Sequence, residues 1–263
     1  MLWARLYAMN DNFDPAAFAR DIEEAGRVGG WTISYLSTTT SSTRPWLQRA
    51  APSGPGAPSV YLSSGIHGDE ISGPFALLEM LRKPDFFASL DVTIFPMLNP
   101  DGLVRGVRGN ADGIDLNRDY RNSKSAEIAS HIEALKTLGR FNGAMMLHED
   151  WEGIGAYLYE LNDELSPTLG KEMIAAMGRH VPIDLRPEIE EAPAYGGIIS
   201  RRDLVAKHGP IEDRPDWPEA IYLGVHHTSL AYTTETPKPF PLAARVRAQI
   251  AAVETLLRAL IVA

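Results

Sequence analysis

Two periods of apolar residues take turns along this chain. Val60-Tyr61-Leu62-Ser63-Ser64-Gly65-Ile66 is a short apolar run closing on a glycine, the pattern of a buried strand entering a turn. Ile71, Ala76, Leu77, Leu78, Met80 and Leu81 then recur at helical spacing. Pro74 is tolerable among them, because N–H groups in a first turn have no intrahelical partner. Residues 91–98 read as a second strand, ended by the turn signal Asn99-Pro100-Asp101-Gly102. Gly143-Ala144-Met145-Met146-Leu147 is a third, and Tyr232-Thr233-Thr234-Glu235-Thr236, closed by Pro237, is a β-rich fourth. Residues 31–36 alternate as a strand should. Further helices are predicted after Asp14, with Pro15 at the first position and Phe18, Ile22 and Ala25 on one side. Others follow over residues 125–138 (Ile128, Ile132, Leu135 inward), 165–179 (Leu169, Met173, Ile174, Met177) and 242–261 (Leu242, Val246, Ile250, Val253, Leu257, Leu260). Strands alternating with helices predict an α/β fold, with a mixed, mostly parallel sheet covered on both faces.

Two stretches break the rhythm. Residues 51–58 (Ala-Pro-Ser-Gly-Pro-Gly-Ala-Pro) are a turn or short linker, since a strand follows at once. Residues 182–218 contain Pro182, Pro187, Pro193, Pro210, Pro215 and Pro218, which fit neither a long helix nor a central strand. A stretch this long inside a compact domain is expected to serve function, as the rim or lid of a cleft.

The strand ends carry the chemistry. His67-Gly68-Asp69-Glu70 follows the first strand, where open α/β sheets keep their ligands. A polar loop with Arg105, Arg108, Asn110 and Asp115-Leu116-Asn117-Arg118-Asp119 follows the second. His148 ends the third and Glu235 lies in the fourth. Two imidazoles, carboxylates and guanidinium groups converging at strand ends are what a metal-assisted hydrolase needs. Zn²⁺ takes nitrogen and oxygen donors in such a place and leaves one position for water.

Composition narrows the setting. A chain of 263 residues with 44% hydrophobic content can bury one good core, so residues 1–263 read as a single domain. Net charge is −9, from 34 acidic against 25 basic side chains, which argues against a nucleic-acid partner. With no cysteine there is no disulfide framework and no thiolate chemistry. Met1-Leu2-Trp3-Ala4-Arg5 has no charged region followed by a sustained apolar stretch, and no run approaches a membrane span of ~18 residues. A cytoplasmic setting is expected, with no membrane partner.

Taken together, His67-Gly68-Asp69-Glu70, Asn99-Pro100-Asp101-Gly102, the run from Arg108 to Arg118, His148 and Glu235 resemble the zinc carboxypeptidase family in order and spacing. The loop from Asn99 to Arg118 is most similar to bacterial murein peptide amidases. The resemblance spans roughly residues 58 to 240 and implies a zinc-exopeptidase-like domain around a mixed eight-stranded sheet. It implies one zinc per chain held by His67, Glu70 and His148, with Asp115 fixing the His67 tautomer. Glu235 is then the general base. Arg108, favoured over Arg105 because the family's Arg-x-Asn-Ala-x-Gly run aligns there, stabilises the oxyanion. Asn117 and Arg118 hold a substrate carboxylate, the arginine through its fork.

The chain also departs from the family. Asp119 replaces a usual asparagine, an extra negative charge beside the expected carboxylate pocket unless Arg121 offsets it. Glu149-Asp150-Trp151-Glu152 replaces small or hydroxyl residues after His148, and these acids would prefer a cationic substrate portion or support the site. The family's mobile tyrosine matches Tyr195 or Tyr222. His226-His227 tempts a second-metal reading, but neighbours on a strand face opposite ways. Arg201-Arg202 is a candidate contact for an acidic substrate.

The function implied is a zinc metallopeptidase acting on a small peptide next to its carboxyl-terminal residue. The alternative is a zinc deacylase of N-acyl amino acids, like succinylglutamate desuccinylase and aspartoacylase. Those enzymes usually carry an added β-domain, whereas here a helix follows Glu235 closely. A third reading, an inactive binding module, sits poorly with intact His67, Glu70, His148, Arg108 and Glu235.

Overall fold

The computed structural model describes residues 13–37, 43–52, 54, 56–162 and 168–262. The expectation for the first five residues therefore lies outside the described residues. So do positions 53 and 55 of the proline-glycine turn and the start of the helix predicted over 165–179.

Eight strands form one mixed sheet in the order β1-β2-β4-β3-β5-β10-β6-β9. They are β1 (Thr32–Leu36), β2 (Arg44–Arg49), β3 (Ser59–Ser64), β4 (Asp91–Phe95), β5 (Gly143–Asp150), β6 (Tyr157–Glu160), β9 (Ile198–Ser200) and β10 (Ala231–Pro237). The central run β4-β3-β5-β10 is parallel throughout. β1, β2 and β6 join antiparallel, and β9 pairs parallel with β6 at the edge. A separate hairpin, β7 (Glu188–Ile189) and β8 (Ala192–Pro193), lies in the proline-rich stretch.

The helices cover both faces. α1 (Pro15–Val28) begins as its sequence predicts, with Asp14 Oδ1 accepting from the N–H groups of Ala16 and Ala17 at 2.9 and 3.0 Å. It shares one core with α2 (Ser72–Leu81), α5 (Gly170–Met177) and α8 (Leu242–Val262), built on Phe18, Ile22, Leu78, Met173 and Val253. The opposite core is covered by α4 (Ala126–Lys136) and α7 (Glu219–His226), through Ile128, Leu135, Ile221 and Leu223. α4 is capped by Ser125, whose Oγ accepts from Ile128 N–H at 3.3 Å. α5 falls within the helix its sequence pattern predicts and, among the described residues, begins at Gly170.

Strand alternation decides what faces the site. On β5, Met145 and Leu147 enter the first core while Ala144 and Met146 enter the second, so His148 points to the second face. On β10, Tyr232 enters the first core and Ala231 the second, which puts Glu235 on the side of His148. Register aligns the rows: His148, Glu235 and Tyr157 are neighbours across β5, β10 and β6, and Met146, Thr233 and Tyr159 form the next row.

Asn99-Pro100-Asp101-Gly102 is not a simple turn. It opens a short helix, α3 (Pro100–Arg105), with Asn99 as its cap and Pro100 at the first position, where a missing N–H costs nothing. The proline-rich stretch holds β7 to β9, α6 (Arg201–His208) and a turn of 3₁₀ helix at Ile211–Asp213. His226-His227 ends a helix rather than preceding a strand directly. Among the described residues no helix is long and apolar enough to cross a membrane.

Candidate metal centre and cleft

The turn after β3 is fixed by backbone contacts that only small residues allow. Gly65 takes φ +63°, and Asn99 spans the gap, donating its N–H to Gly65 O at 2.8 Å and its side-chain amide to Ile66 O at 3.1 Å. A Cβ on Gly68 would lie 1.9 Å from the carbonyl carbon of Gly102. The two loops can therefore meet only through glycine, and their meeting aims His67 and Glu70 at the end of β5.

His67, Glu70 and His148 are 2, 4 and 3% exposed and offer donor atoms that all lie within 4.8 Å of one another. His67 Nδ1 lies 2.6 Å from Glu70 Oε1 and 3.2 Å from His148 Nδ1. His148 Nδ1 is 2.9 Å from Glu70 Oε2, which makes no hydrogen bond. Two imidazole nitrogens facing one another across 3.2 Å need a cation between them, a proton or a metal. A tetrahedral ion with bonds of ~2.0 Å separates its donors by about 3.3 Å. The donor set and its spacing fit zinc. Burial raises the proton affinity of the Glu70 carboxyl, but the two imidazoles override it and hold the group well below the usual carboxylate range.

The outer nitrogen of His67 is held as well. Its Nε2 lies 3.2 Å from Asp115 Oδ1, leaving Nδ1 free to face Glu70 and His148. Asp115 also accepts from Arg108 Nε at 2.9 Å and from the Asn117 N–H at 2.9 Å. Burial works against its charge, yet His67 and Arg108 depress its proton affinity strongly. Arg108 is half-exposed and reaches to 3.8 Å from Glu70 Oε1. Arg105, the rival, is spent on the carbonyls of Asp101 and Asn110.

Glu235 shares a cavity of about 650 Å³ with His67, Glu70, Arg108, Asn117, Arg118 and His148. Burial, opposed by His148 and reinforced by Glu70 and Asp150, pushes its carboxyl up to about 8. That is a poised acid–base value. Asn117 Oδ1 accepts from the Glu219 N–H at 2.9 Å, so its amide N–H₂ is what remains for a ligand. Arg118 donates to Asn117 O at 2.8 Å and pairs with Asp216 at 3.3 Å. His67, Glu70, Arg108, Asn117, Arg118, His148 and Glu235 thus line one cleft, and Asp115 contacts three of them.

Of the departures, Asp119 resolves differently from its sequence expectation, whereas Glu149, Asp150, Trp151 and Glu152 all line the cavity. Asp119 is buried away from the cavity, where it accepts from the N–H groups of Lys124 and Ser125 and from Ser125 Oγ. It shapes the entry to α4 and needs no offset by Arg121, which donates to the carbonyls of Glu212 and Arg214. Glu149 is buried against Arg245 and accepts from Ser72 N–H at 2.9 Å. Neither candidate tyrosine lines the cavity: Tyr195 is 68% exposed and Tyr222 packs on Tyr120. Tyr157 and Tyr159 line it instead, placed by register and missed from sequence because β6 is too short to announce itself. Arg201 is paired with Glu212, and His226 packs on Trp217 and Tyr222. The proline-rich stretch does form the rim, through Glu190, Leu204, His208, Ile211, Arg214 and Pro218.

Gln249, on α8 and fully buried, was also silent in the sequence. It donates from Nε2 to the His148 carbonyl at 2.7 Å, and its Oε1 accepts from Thr234 Oγ1 at 2.5 Å. It ties the ends of β5 and β10, and so His148 and Glu235, to one rigid helix.

Comparison with known proteins gives two kinds of likeness. The family model described as the succinylglutamate desuccinylase/aspartoacylase catalytic domain matches residues 56–152. A candidate metallopeptidase from Shewanella denitrificans OS217 superposes with TM-score 0.79 at 25% identity, covering 92% of this chain and 89% of that one. One from Shewanella baltica OS155 gives 0.77 at 26%, covering 92% and 91%. A metallo-carboxypeptidase from Pseudomonas aeruginosa, in complex with (2-guanidinoethylmercapto)succinic acid, shares the fold at TM-score 0.68 and 20% identity, covering 94% and 69%. No curated protein matches the chain in a sequence search.

Proposed function

We propose that this chain, of a zinc carboxypeptidase-like family, is a metal-dependent hydrolase that cleaves the peptide bond next to a carboxyl-terminal residue. One observation carries the reading. The three buried donors His67, Glu70 and His148 converge within a cavity that also holds Glu235 and the guanidinium groups of Arg108 and Arg118. When bound there, zinc would activate water and polarise a carbonyl.

The chain's own residues supply the rest. Glu235 takes the proton of the attacking water and later returns it to the leaving nitrogen. Arg108, turned into the cavity by Asp115, stabilises the charge that develops on the carbonyl oxygen. The Asn117 amide and the Arg118 guanidinium, both donors with no acceptor left to offer, receive the substrate's terminal carboxylate. Leu161, Ile211 and Ile221 form an apolar part of the cavity wall, with room for a hydrophobic terminal side chain.

The match of residues 56–152 to the deacylase family supports a second reading, release of an acyl group from an N-acyl amino acid. Zinc-loaded protein assayed side by side on peptides, their carboxyl-terminal amides and N-acyl amino acids separates the two. Cleavage of the free-acid peptides, with much of kcat/KM lost on amidation, is expected. Cleavage of N-acyl amino acids alone would move the assignment to the deacylase, and equal turnover of acid and amide would remove Asn117 and Arg118 from carboxylate binding.

A further inference from the structure

Pro218, Ala220 and Ile221 line the cleft, so the first turn of α7 is part of its wall. Glu219, between them, is absent from that lining and is 1% exposed. Pro218 holds the cap position of α7 and offers the helix no side-chain acceptor. The acceptor comes instead from a distant loop: Asn117 Oδ1 takes the Glu219 N–H at 2.9 Å. That bond decides how the Asn117 amide points. Its oxygen is spent on the helix, and its N–H₂ is left for the cleft that Asn117 lines.

A carboxylate turned inward at the start of a helix gives up the water that an outward one keeps. What it gains here is an anchor. Glu219 Oε1 accepts from the Tyr61 hydroxyl. Having donated to Glu219, that hydroxyl is left to accept from His131 Nε2 at 3.0 Å. The neutral ring then offers Nδ1 as acceptor to the Tyr120 hydroxyl at 2.8 Å. All four residues are buried, and their hydrogen bonds run without a gap from α4 through β3 to α7. Tyr61 lies on β3, the strand that runs into the His67 turn. The strand that delivers His67 and the helix that holds Asn117 are therefore tied to each other directly, in a site where about 1 Å of misplacement matters.

We propose that Glu219 is a positioning residue for carboxylate recognition. Its buried side chain, held by the Tyr61 hydroxyl, fixes the first turn of α7, and the N–H of that turn fixes the Asn117 amide. The inference rests on the carboxylate-binding role of Asn117 in the proposed function and extends it to residues that never touch the substrate.

Zinc-loaded protein tests it on N-acetyl-leucyl-phenylalanine and N-acetyl-phenylalanine, whichever is cleaved, with the matching amides as competing inhibitors. Asn117→Ala sets the scale. It should raise KM for the free acid about tenfold or more and leave inhibition by the amide nearly unmoved. Tyr61→Phe and Glu219→Ala should each raise that KM about three- to tenfold, with kcat within about twofold of the parent's. Such a split marks lost binding rather than lost chemistry. Glu219→Gln keeps an acceptor for the Tyr61 hydroxyl and should restore KM to within about twofold of the parent's. A role confined to stability would lower the urea midpoint and the active fraction and leave KM where it was. That result, an equal loss of acid and amide affinity, or a Glu219→Gln no better than Glu219→Ala would overturn the inference. Tyr61→Phe decides the matter alone if Glu219→Ala does not fold. If Asn117→Ala raises KM and neither Tyr61→Phe nor Glu219→Ala does, carboxylate binding stands and the positioning role falls. If Asn117→Ala leaves acid and amide unmoved, or neither substrate is cleaved, both fall.

Discussion

Asp115 joins His67 of the candidate metal centre to Arg108 and to the Asn117 backbone, so Asp115→Asn tests whether they act as one unit. Its Oδ1 serves His67 at 3.2 Å and the Asn117 N–H at 2.9 Å, and its Oδ2 serves Arg108 Nε at 2.9 Å. An asparagine in the same pose keeps the first pair of contacts and turns an N–H₂ toward Arg108, donor against donor. A hydrogen bond to a charged group is worth about 1.5–3 kcal/mol. Because Arg108 is half-exposed, solvent screening cuts the stability loss to about 1 kcal/mol. The larger effect falls on function. Losing the carboxylate behind a metal-binding imidazole costs about 10- to 100-fold in metal affinity or activity, and releasing Arg108 adds a further loss in kcat. Zinc affinity by chelator competition, melting by circular dichroism and kcat/KM should be measured on one preparation. A small change in melting with a large drop in zinc affinity and kcat is expected. Unchanged zinc affinity and unchanged kcat would refute the orienting role of Asp115.

Three further predictions follow from buried groups and close contacts. His131 lies between the Tyr61 and Tyr120 hydroxyls at 3.0 and 2.8 Å, and burial, helped by Arg44, drops it to about 3. Its folded value is depressed, so the stability it gives is complete above pH 6.5 and is lost as pH falls toward 3. Between pH 7 and 4.5 the parent should lose about 2–3 kcal/mol more than His131→Phe in urea unfolding, and equal slopes would contradict this. Gly68→Ala should cost about 3 kcal/mol or more and displace His67, since Gly102 backbone cannot yield; Gly106→Ala, with φ +61° but open space around it, should cost only about 1–2. Glu149→Gln should cost about 3–5 kcal/mol by stranding buried Arg245, yet leave kcat of the folded fraction nearly intact; a normal melting temperature with lost turnover would make Glu149 catalytic instead.

The sheet and its covering helices were legible because their residues repeat strongly. Asp14-Pro15 announces α1, and six apolar residues at helical spacing announce α8. β2 was not legible: Arg44-Pro45-Trp46-Leu47-Gln48-Arg49 has a proline and charged ends, and it is a strand only because β1 and β4 hold it on either side. β6 is four residues long, and with it went Tyr157 and Tyr159. At the site, the ordered motifs named His67, Glu70, Arg108, Asn117, Arg118, His148 and Glu235, all of which line the cleft, but not Met146 of β5 or Thr233 of β10, which line it too. What they could not give is which side chains are already spent. Asp119 looked like a charge in the pocket and is a helix-entry ligand; Glu149 looked open to a cationic substrate portion and instead neutralises Arg245. Both outcomes depend on partners distant in sequence or on a loop's path, neither of which leaves a local pattern.

The central claim is that His67, Glu70 and His148 hold zinc while Glu235 moves the proton. Glu235→Gln tests it in one preparation, through zinc content, melting temperature and kcat together. The side chains are nearly isosteric, so the amide fills the same space between β5 and β6 without disturbing the packing. One zinc per chain, a melting temperature no lower than the parent's and a kcat reduced by about 10² to 10⁴ are predicted. Full zinc with normal turnover would contradict the account.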